Sequence, residues 1–434
     1  MNALIVAESS VLIEESALVR RFLAWSPQAL PGDRAQAVNA LARAYLYCGL
    51  QPDIRAEAEL ALTRALDDPE PRVRRALSEA FASAAEAPRH VVLALASDIA
   101  EVSRAVLAMS PLLSEADLVD CAATGDASAQ TAIARRARLG APVAAALAEI
   151  GERAAALALI GNFRADLRGP ALWRLFERFA GDAEMRARLI ERPALPASLR
   201  AAIAAATTAD VSLFASEWLD PRRAERIARD GREQAFVAIA TSCGAYELAE
   251  LVAWLRVSEH LTVGLLVRAL SCGGVALFAQ SLADMSGLPA PRAAGLMRDA
   301  RGQAFASLYA RAKMPPAFLP AFRIAVACAA EVSAGVGVDY ALTMRMIRAI
   351  EAEGDAQLTP VAAMLWRLAG EGAREEAREF VAAATEVVPA ARLDQAEFEA
   401  GAPHVLLLNV EPVNENLAPP VTLDLAPEPG AIAA

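Results

Sequence analysis

Acidic residues recur at Asp68, Asp98, Asp126, Glu152 and Asp182, at intervals of 30, 28, 26 and 30 residues. Each leads into an Ala/Leu/Val-rich stretch such as "VSRAVLAM", "AQTAIARRARL" or "MRARLIER", and Pro88, Pro111, Gly125, Gly140 and Gly161 punctuate between them. A carboxylate accepts from the free backbone N–H groups of a first helical turn and faces the positive end of the helix dipole, so each acid predicts a helix start. A helical unit of this length cannot bury its apolar stripe alone and does so by stacking on copies of itself. The pattern therefore predicts an all-α chain, an α-solenoid of short antiparallel helix pairs. Its period is shorter than the roughly 40–47 residues of ordinary HEAT units, which implies tight turns.

Composition agrees with that reading. Apolar residues make up 56% of the chain and aromatics only 5%, so small and straight side chains carry the burial and favour close helix packing over sheets. Length alone, at 434 residues, exceeds one ordinary core unless a repeating array lets the body grow lengthwise.

A longer phrase is also written twice. "RAERIARDGREQAF" from Arg223 and "RAAGLMRDARGQAF" from Arg292 agree at eight of fourteen positions. After the shared Asp the apolar residues fall at i, i+3, i+4 and i+7: Phe236, Ile239, Ala240 and Cys243 in one copy, Phe305, Leu308, Tyr309 and Ala312 in the other. The spacing predicts a short helix, an N-cap at Asp230 or Asp299, and a second helix whose core anchor is Phe236 or Phe305. Glu233 stands where it would complete a capping box with Asp230, and Gly302 replaces it in the second copy.

The stretch "VRRALSEAFASAAEAPRHVVLALASDIAEVSRAVLAMSPLLSEADLVDCAATGDASAQTAIARR", Val73 to Arg136, resembles the bacterial family known as domain of unknown function 2336. The resemblance continues through "LAEIGERAAALALIGN" and "RPALPASLRAAI" and more weakly to "LSCGGVALFAQSLADMSGLP" and "DARGQAF". It implies a HEAT-like helical fold and no particular activity.

Four segments follow along the chain. Residues 1–50 read as N-terminal capping helices, 51–205 as the short-period array, 206–388 as a second helical repeat region, and 389–434 as a disordered acidic, Pro-rich tail. The tail holds two apolar islands, "HVLLLNV" and "VTLDL", either of which could add to a partner as a strand or groove peptide.

Charge and motif content narrow the function. A net charge of −11 and a pI near 5.1 argue against nucleic-acid binding and anionic membrane surfaces. No run approaches the ~18 apolar residues of a membrane span. Five widely spaced cysteines in apolar surroundings read as reduced thiols of a cytoplasmic protein. The three histidines form no ligand-spaced pair, there is no Cys-x-x-Cys, and the single lysine, Lys313, follows no P-loop glycine, so neither a metal nor a cofactor is implied. Nor is there a nucleophile elbow, and the chain reads as non-enzymatic. His260, next to Glu259, is expected to be exposed or capping, since neighbours on a helix point about 100° apart.

What remains is arginine. In the run Arg222, Arg223, Arg226, Arg229 and Arg232, the residues Arg222, Arg226 and Arg229 share one predicted helix face and Arg232 follows the Asp230 cap, so several guanidinium forks could gather an acidic protein segment or a phosphorylated ligand. Glu225, Asp230 and Glu233 lie among them, so surface ion pairs compete as an explanation. The sequence thus predicts a scaffold or adaptor that binds another protein through a helical-repeat surface. The alternative is a regulatory or sensory module holding an anionic ligand on the arginine face.

Overall fold

The computed structural model describes residues 19–387, which are helical with connecting turns; the one β-type feature among them is an isolated bridge between Leu139 and Ala165. The expected tail at 389–434 and the first part of the capping segment lie outside the described residues. After a helical stretch at residues 19–25, the first run comprises α1 (Pro31–Tyr47), α2 (Pro52–Arg64), α3 (Pro71–Phe81), α4 (Arg89–Ala96), α5 (Ala100–Met109), α6 (Glu115–Thr124), α7 (Ala127–Ala134), α8 (Ala141–Ile150), α9 (Arg153–Gly161), α10 (Gly169–Phe179) and α11 (Ala183–Ile190). Two long helices follow, α12 (Ala197–Ser216) and α13 (Pro221–Thr241). The remainder is α14 (Ala245–Val257), α15 (Val263–Ser271), α16 (Val275–Ser286), α17 (Ala290–Met297), α18 (Gln303–Arg311), α19 (Leu319–Ala329), α20 (Tyr340–Glu353) and α21 (Thr359–Val387).

Neighbours in space are mostly two places apart in sequence. In one row α1 packs on α3, α3 on α5, and so on to α11; in another α6 packs on α8 and α8 on α10. Past α12 the order continues, α12 on α14, α14 on α16 and α16 on α18, while α13 packs on α15. Buried side chains form two clusters, one spanning residues 19–203 and one spanning 197–369. They meet on α12, whose Leu199, Ala202 and Ile203 belong to the first and Ala197 and Ala201 to the second. The boundary read at 205/206 therefore falls inside a continuous helix. Residues 19–373 are one compact unit; the last turns of α21 belong to a second, in which Arg378 pairs with Glu375 at 2.6 Å.

The acidic punctuation has two structural meanings. Asp126 caps α7 by accepting from the Ala129 N–H, and Asp182 caps α11 by accepting from those of Glu184 and Met185. Glu152 occupies the N-cap of α9 without a side-chain bond. Asp68 and Asp98 are not N-caps: α3 begins at Pro71 behind Glu70, and α5 at Ala100 behind Ile99. Each instead receives a two-pronged guanidinium from the preceding unit, Arg34 to Asp68 at 2.8 and 2.9 Å and Arg74 to Asp98 at 2.6 and 3.0 Å. Burial pushes both carboxyls up, but the hydrogen bonds from Arg34 and Arg74, together with backbone N–H bonds from Glu70 and Ile99 and the arginine charges, outweigh it and hold them below the usual carboxylate range.

Arginine also closes helix C-termini, whose last carbonyls have no partner within the helix. Arg136, after α7, donates to Leu107 and Ser110 O of α5's end at 2.5 and 2.6 Å. Arg178 of α10 donates to Ala148 and Gly151 O at 2.8 Å each, ending α8. Arg192, after α11, reaches Ile160 and Asn162 O at 2.6 and 3.1 Å, ending α9. Asn162 makes the same bond from α9 to the end of α7, and Arg311 from α18 to Ser286 O of α16 at 2.8 Å. Each contact joins a helix to its counterpart one unit earlier. The arginine-rich stretches at residues 72–75 and 135–138 also join units, through Arg74, Arg75 and Arg136.

The repeated phrase folds differently in its two copies. Asp230 does not cap a helix: it lies in the middle of α13, which starts nine residues earlier behind Asp220. Asp220 accepts from the Arg222 and Arg223 N–H groups and Pro221 takes the first helical position, a start strong enough that Gly231, costing only about 1 kcal/mol, does not end the helix. In the second copy α17 does stop at Met297, but the N-cap of α18 is Gly302 rather than Asp299. The Asp299 carboxylate sits against the Gly302 Cα, where any Cβ would collide with it. Phe236 and Phe305 are both buried in the second cluster.

Candidate functional site

Helix α13 divides along its length. Its C-terminal half buries Glu233, Phe236, Val237 and Ala240, while its N-terminal half buries only Ala224 and Ala228, against α12. Arg222, Arg226 and Arg229 continue the Glu233–Phe236–Ala240 stripe beyond the packed half at i, i+4 and i+7, and so emerge on one exposed face about 10 Å long. Arg223 is exposed as well. Among the described residues none of these four reaches an acid within ion-pair distance, as holds also for other exposed arginines such as Arg43, Arg104 and Arg292, whereas Arg34, Arg74, Arg153 and Arg256 clip neighbouring units together. Arg232 does not join the group: it is half-buried and lies beside His260.

His260 is neither exposed nor a cap. Its ring is half-buried, with centroids 5.4 Å from Phe236 and 5.6 Å from Trp254. Burial, helped by the nearby Arg232 charge, pushes its pKa below the usual imidazole range, so the ring is neutral at pH 7. This aromatic trio packs the base of α13 against α14 and the turn after it.

At the same level lies a buried charge cluster. Arg268 of α15 is 2% exposed, donates to Glu371 at 2.7 Å, and comes within 3.7 Å of Glu233 and 4.0 Å of Asp230. Glu233, predicted as part of a capping box, is thus an interior partner instead. Thr262, the N-cap of α15, also donates to it at 3.3 Å, and a Cβ at Gly264 would come within 2.9 Å of the carboxylate. Burial pushes the Glu233 carboxyl above its ordinary range despite Arg268. One sequence signal pointed here: a lone arginine inside "VGLLVRALSC" is a charge in a fully apolar helix, which must be paired.

The arginine face belongs to a helical hairpin, and its apolar side is the feature that motif reading missed. Beyond Ile203, α12 buries nothing more, and Val211, Leu213, Phe214 and Trp218 are exposed on it and the turn that follows. Ile227 of α13 is exposed too. Trp218 is 77% and Phe214 66% solvent-accessible, unusual for rings of this size. Two open cavities of about 310 and 470 Å³ lie elsewhere, one beside the Arg34–Asp68 pair and one beside Trp366.

The family model described as "Uncharacterised protein conserved in bacteria (DUF2336)" matches residues 102–358, more than half of the chain. The chain belongs to this family. The DUF2336 match contains the α12–α13 hairpin, the aromatic trio and Arg268; it begins at Val102, so the phrases quoted above from residues 73–101 fall outside it. No curated protein and no solved structure matches the chain. Among the described residues no helix is long and apolar enough to cross a membrane.

Proposed function

We propose that this DUF2336 chain is a non-enzymatic scaffold or adaptor, a stacked helical-repeat body that docks an acidic protein segment on Arg222, Arg226 and Arg229. The observation carrying this reading is that these guanidiniums are exposed and aligned on one helix face, with no acid within ion-pair distance among the described residues. Packing of each helix on the one two places along supports a repeat array, and such arrays work by offering extended surface. Five unpaired thiols fit a reducing compartment, and we place the protein in the cytoplasm on that ground. A phosphorylated small ligand on the same face is the second reading, because three planar forks in a line also suit phosphate oxygens.

The test is quantitative capture from source-cell lysate by the full-length chain and by an Arg222→Gln/Arg226→Gln/Arg229→Gln variant. An acidic protein should be enriched by the wild type, lost with the variant and released as salt rises past about 0.15 M. Capture unchanged by the triple substitution would remove the arginine face from the function. Saturable phosphate binding by the wild type alone, with no protein enriched, would favour the second reading.

A further inference from the structure

The hairpin has a second face, and it carries a different kind of information. Val211 and Phe214 lie three apart on α12 and Trp218 one turn on, which puts all three on one side. The hand of an antiparallel helix pair brings the Arg223–Ile227–Asp230 stripe of α13 (i, i+4, i+7) to that same side. The result is an apolar face, Val211, Phe214, Trp218 and Ile227, bounded on α13 by an arginine four residues before Ile227 and an aspartate three residues after it. Arg223 has no acid partner among the described residues, and the Asp230 side chain is 41% exposed, with its one ion contact at 4.0 Å.

We propose that this face pairs with the same face of a second copy of the chain, the two α13 helices crossing antiparallel at Ile227. Antiparallel pairing about that residue sets Arg223 of each copy against Asp230 of the other, so the surface is complementary to itself, which a two-fold interface requires. The charges also argue against other occupants. Exposed Glu217, Glu225 and the capping Asp220 stand on the hairpin among its arginines, so it presents no net positive field to an anionic bilayer. Area is sufficient: at ~200 Å² per aromatic side chain, Phe214 and Trp218 expose on the order of 300 Å² in each copy. With Val211, Ile227 and the flanking charges of both copies, the pair reaches the ~1,000 Å² expected of a specific interface. The inference concerns a different face from the acidic-partner site and stands or falls without it.

Sedimentation velocity of the full-length chain up to about 100 μM, a hundred times a micromolar Kd, tests it. The wild type should pass from monomer to dimer. Phe214→Ser/Trp218→Ser should stay monomeric, with unchanged circular dichroism because both rings are exposed. Arg223→Glu and Asp230→Arg should each weaken self-association at least tenfold, and the two variants mixed should pair with each other, since both crossed contacts are then restored. A wild type that remains monomeric at about 100 μM, or a dimer that survives loss of both rings, overturns the proposal. So does a monomer that binds phosphatidylglycerol vesicles through the same two rings, which would give the face to a lipid surface. Swapped variants that fail to pair while the wild type dimerises overturn the antiparallel register.

Discussion

Replacing Arg268 by Met tests whether the buried cluster is organised as described. The substitution keeps much of the side-chain volume and removes the charge. Its three acids are not equally exposed: the Glu371 side chain is 30% and that of Asp230 41% accessible, so both can turn to water, but Glu233 is 6% accessible and is left as a buried charge without a partner. Stranding one member of a buried pair costs about 3–5 kcal/mol, which sets the expected loss at pH 7. Adding Glu233→Gln removes the stranded charge and should recover most of that loss. Acidification should do so too. An acid whose folded pKa is raised binds a proton more readily in the native state, so stability declines as pH rises through that pKa and is regained below it. The Arg268→Met deficit should therefore shrink as pH falls toward the carboxylate range. Urea unfolding followed by circular dichroism and tryptophan fluorescence measures all three quantities. A single variant losing less than about 1 kcal/mol, or a double variant no better than the single, would refute the assignment of Glu233 as the dependent charge.

Phe236→Ala and Phe305→Ala should each destabilise by about 3–5 kcal/mol, since both rings are fully enclosed; near-wild-type unfolding midpoints would contradict their core placement. Asp68 and Asp98 have depressed folded pKa values, so their contribution is present above the unfolded value near 3.9 and is lost as pH falls through the folded one. Thermal melts should accordingly drop on acidification below about pH 4, and Asp68→Asn/Asp98→Asn should flatten that drop. Burial pushes the Cys272 thiol to about 12, whereas Cys48 is exposed; native alkylation read by mass spectrometry should label Cys48 first and leave Cys272 unmodified.

Much of the helical order was legible because periodicity and punctuation are local. Asp126 and Asp182 read as caps and are caps, since their N–H partners lie two or three residues on. Asp68 and Asp98 looked identical in sequence, yet their decisive partners, Arg34 and Arg74, come from the preceding unit, and no local rule identifies them. Asp230 failed for a related reason: the Asp220–Pro221 start nine residues upstream had already committed the segment to helix. Of the arginine site, the helical face of Arg222, Arg226 and Arg229 followed from spacing. That Arg232 turns toward His260, and that Glu233 faces Arg268, depended on where α15 packs. The exposed rings of the hairpin were invisible to motif reading because an apolar residue on a helix is by default assigned to the core.

The carbonyl clips run in one direction along the chain. Each helix from α5 to α9 in its row has its C-terminal end completed by a side chain that the chain supplies only about one unit later: Arg136 for Leu107, Asn162 for Ala134, Arg192 for Ile160. During synthesis a unit emerging from the ribosome therefore remains unfinished until its successor follows, with bare carbonyls at one end. A break between units leaves the helix ends before the cut without the side chains that complete them.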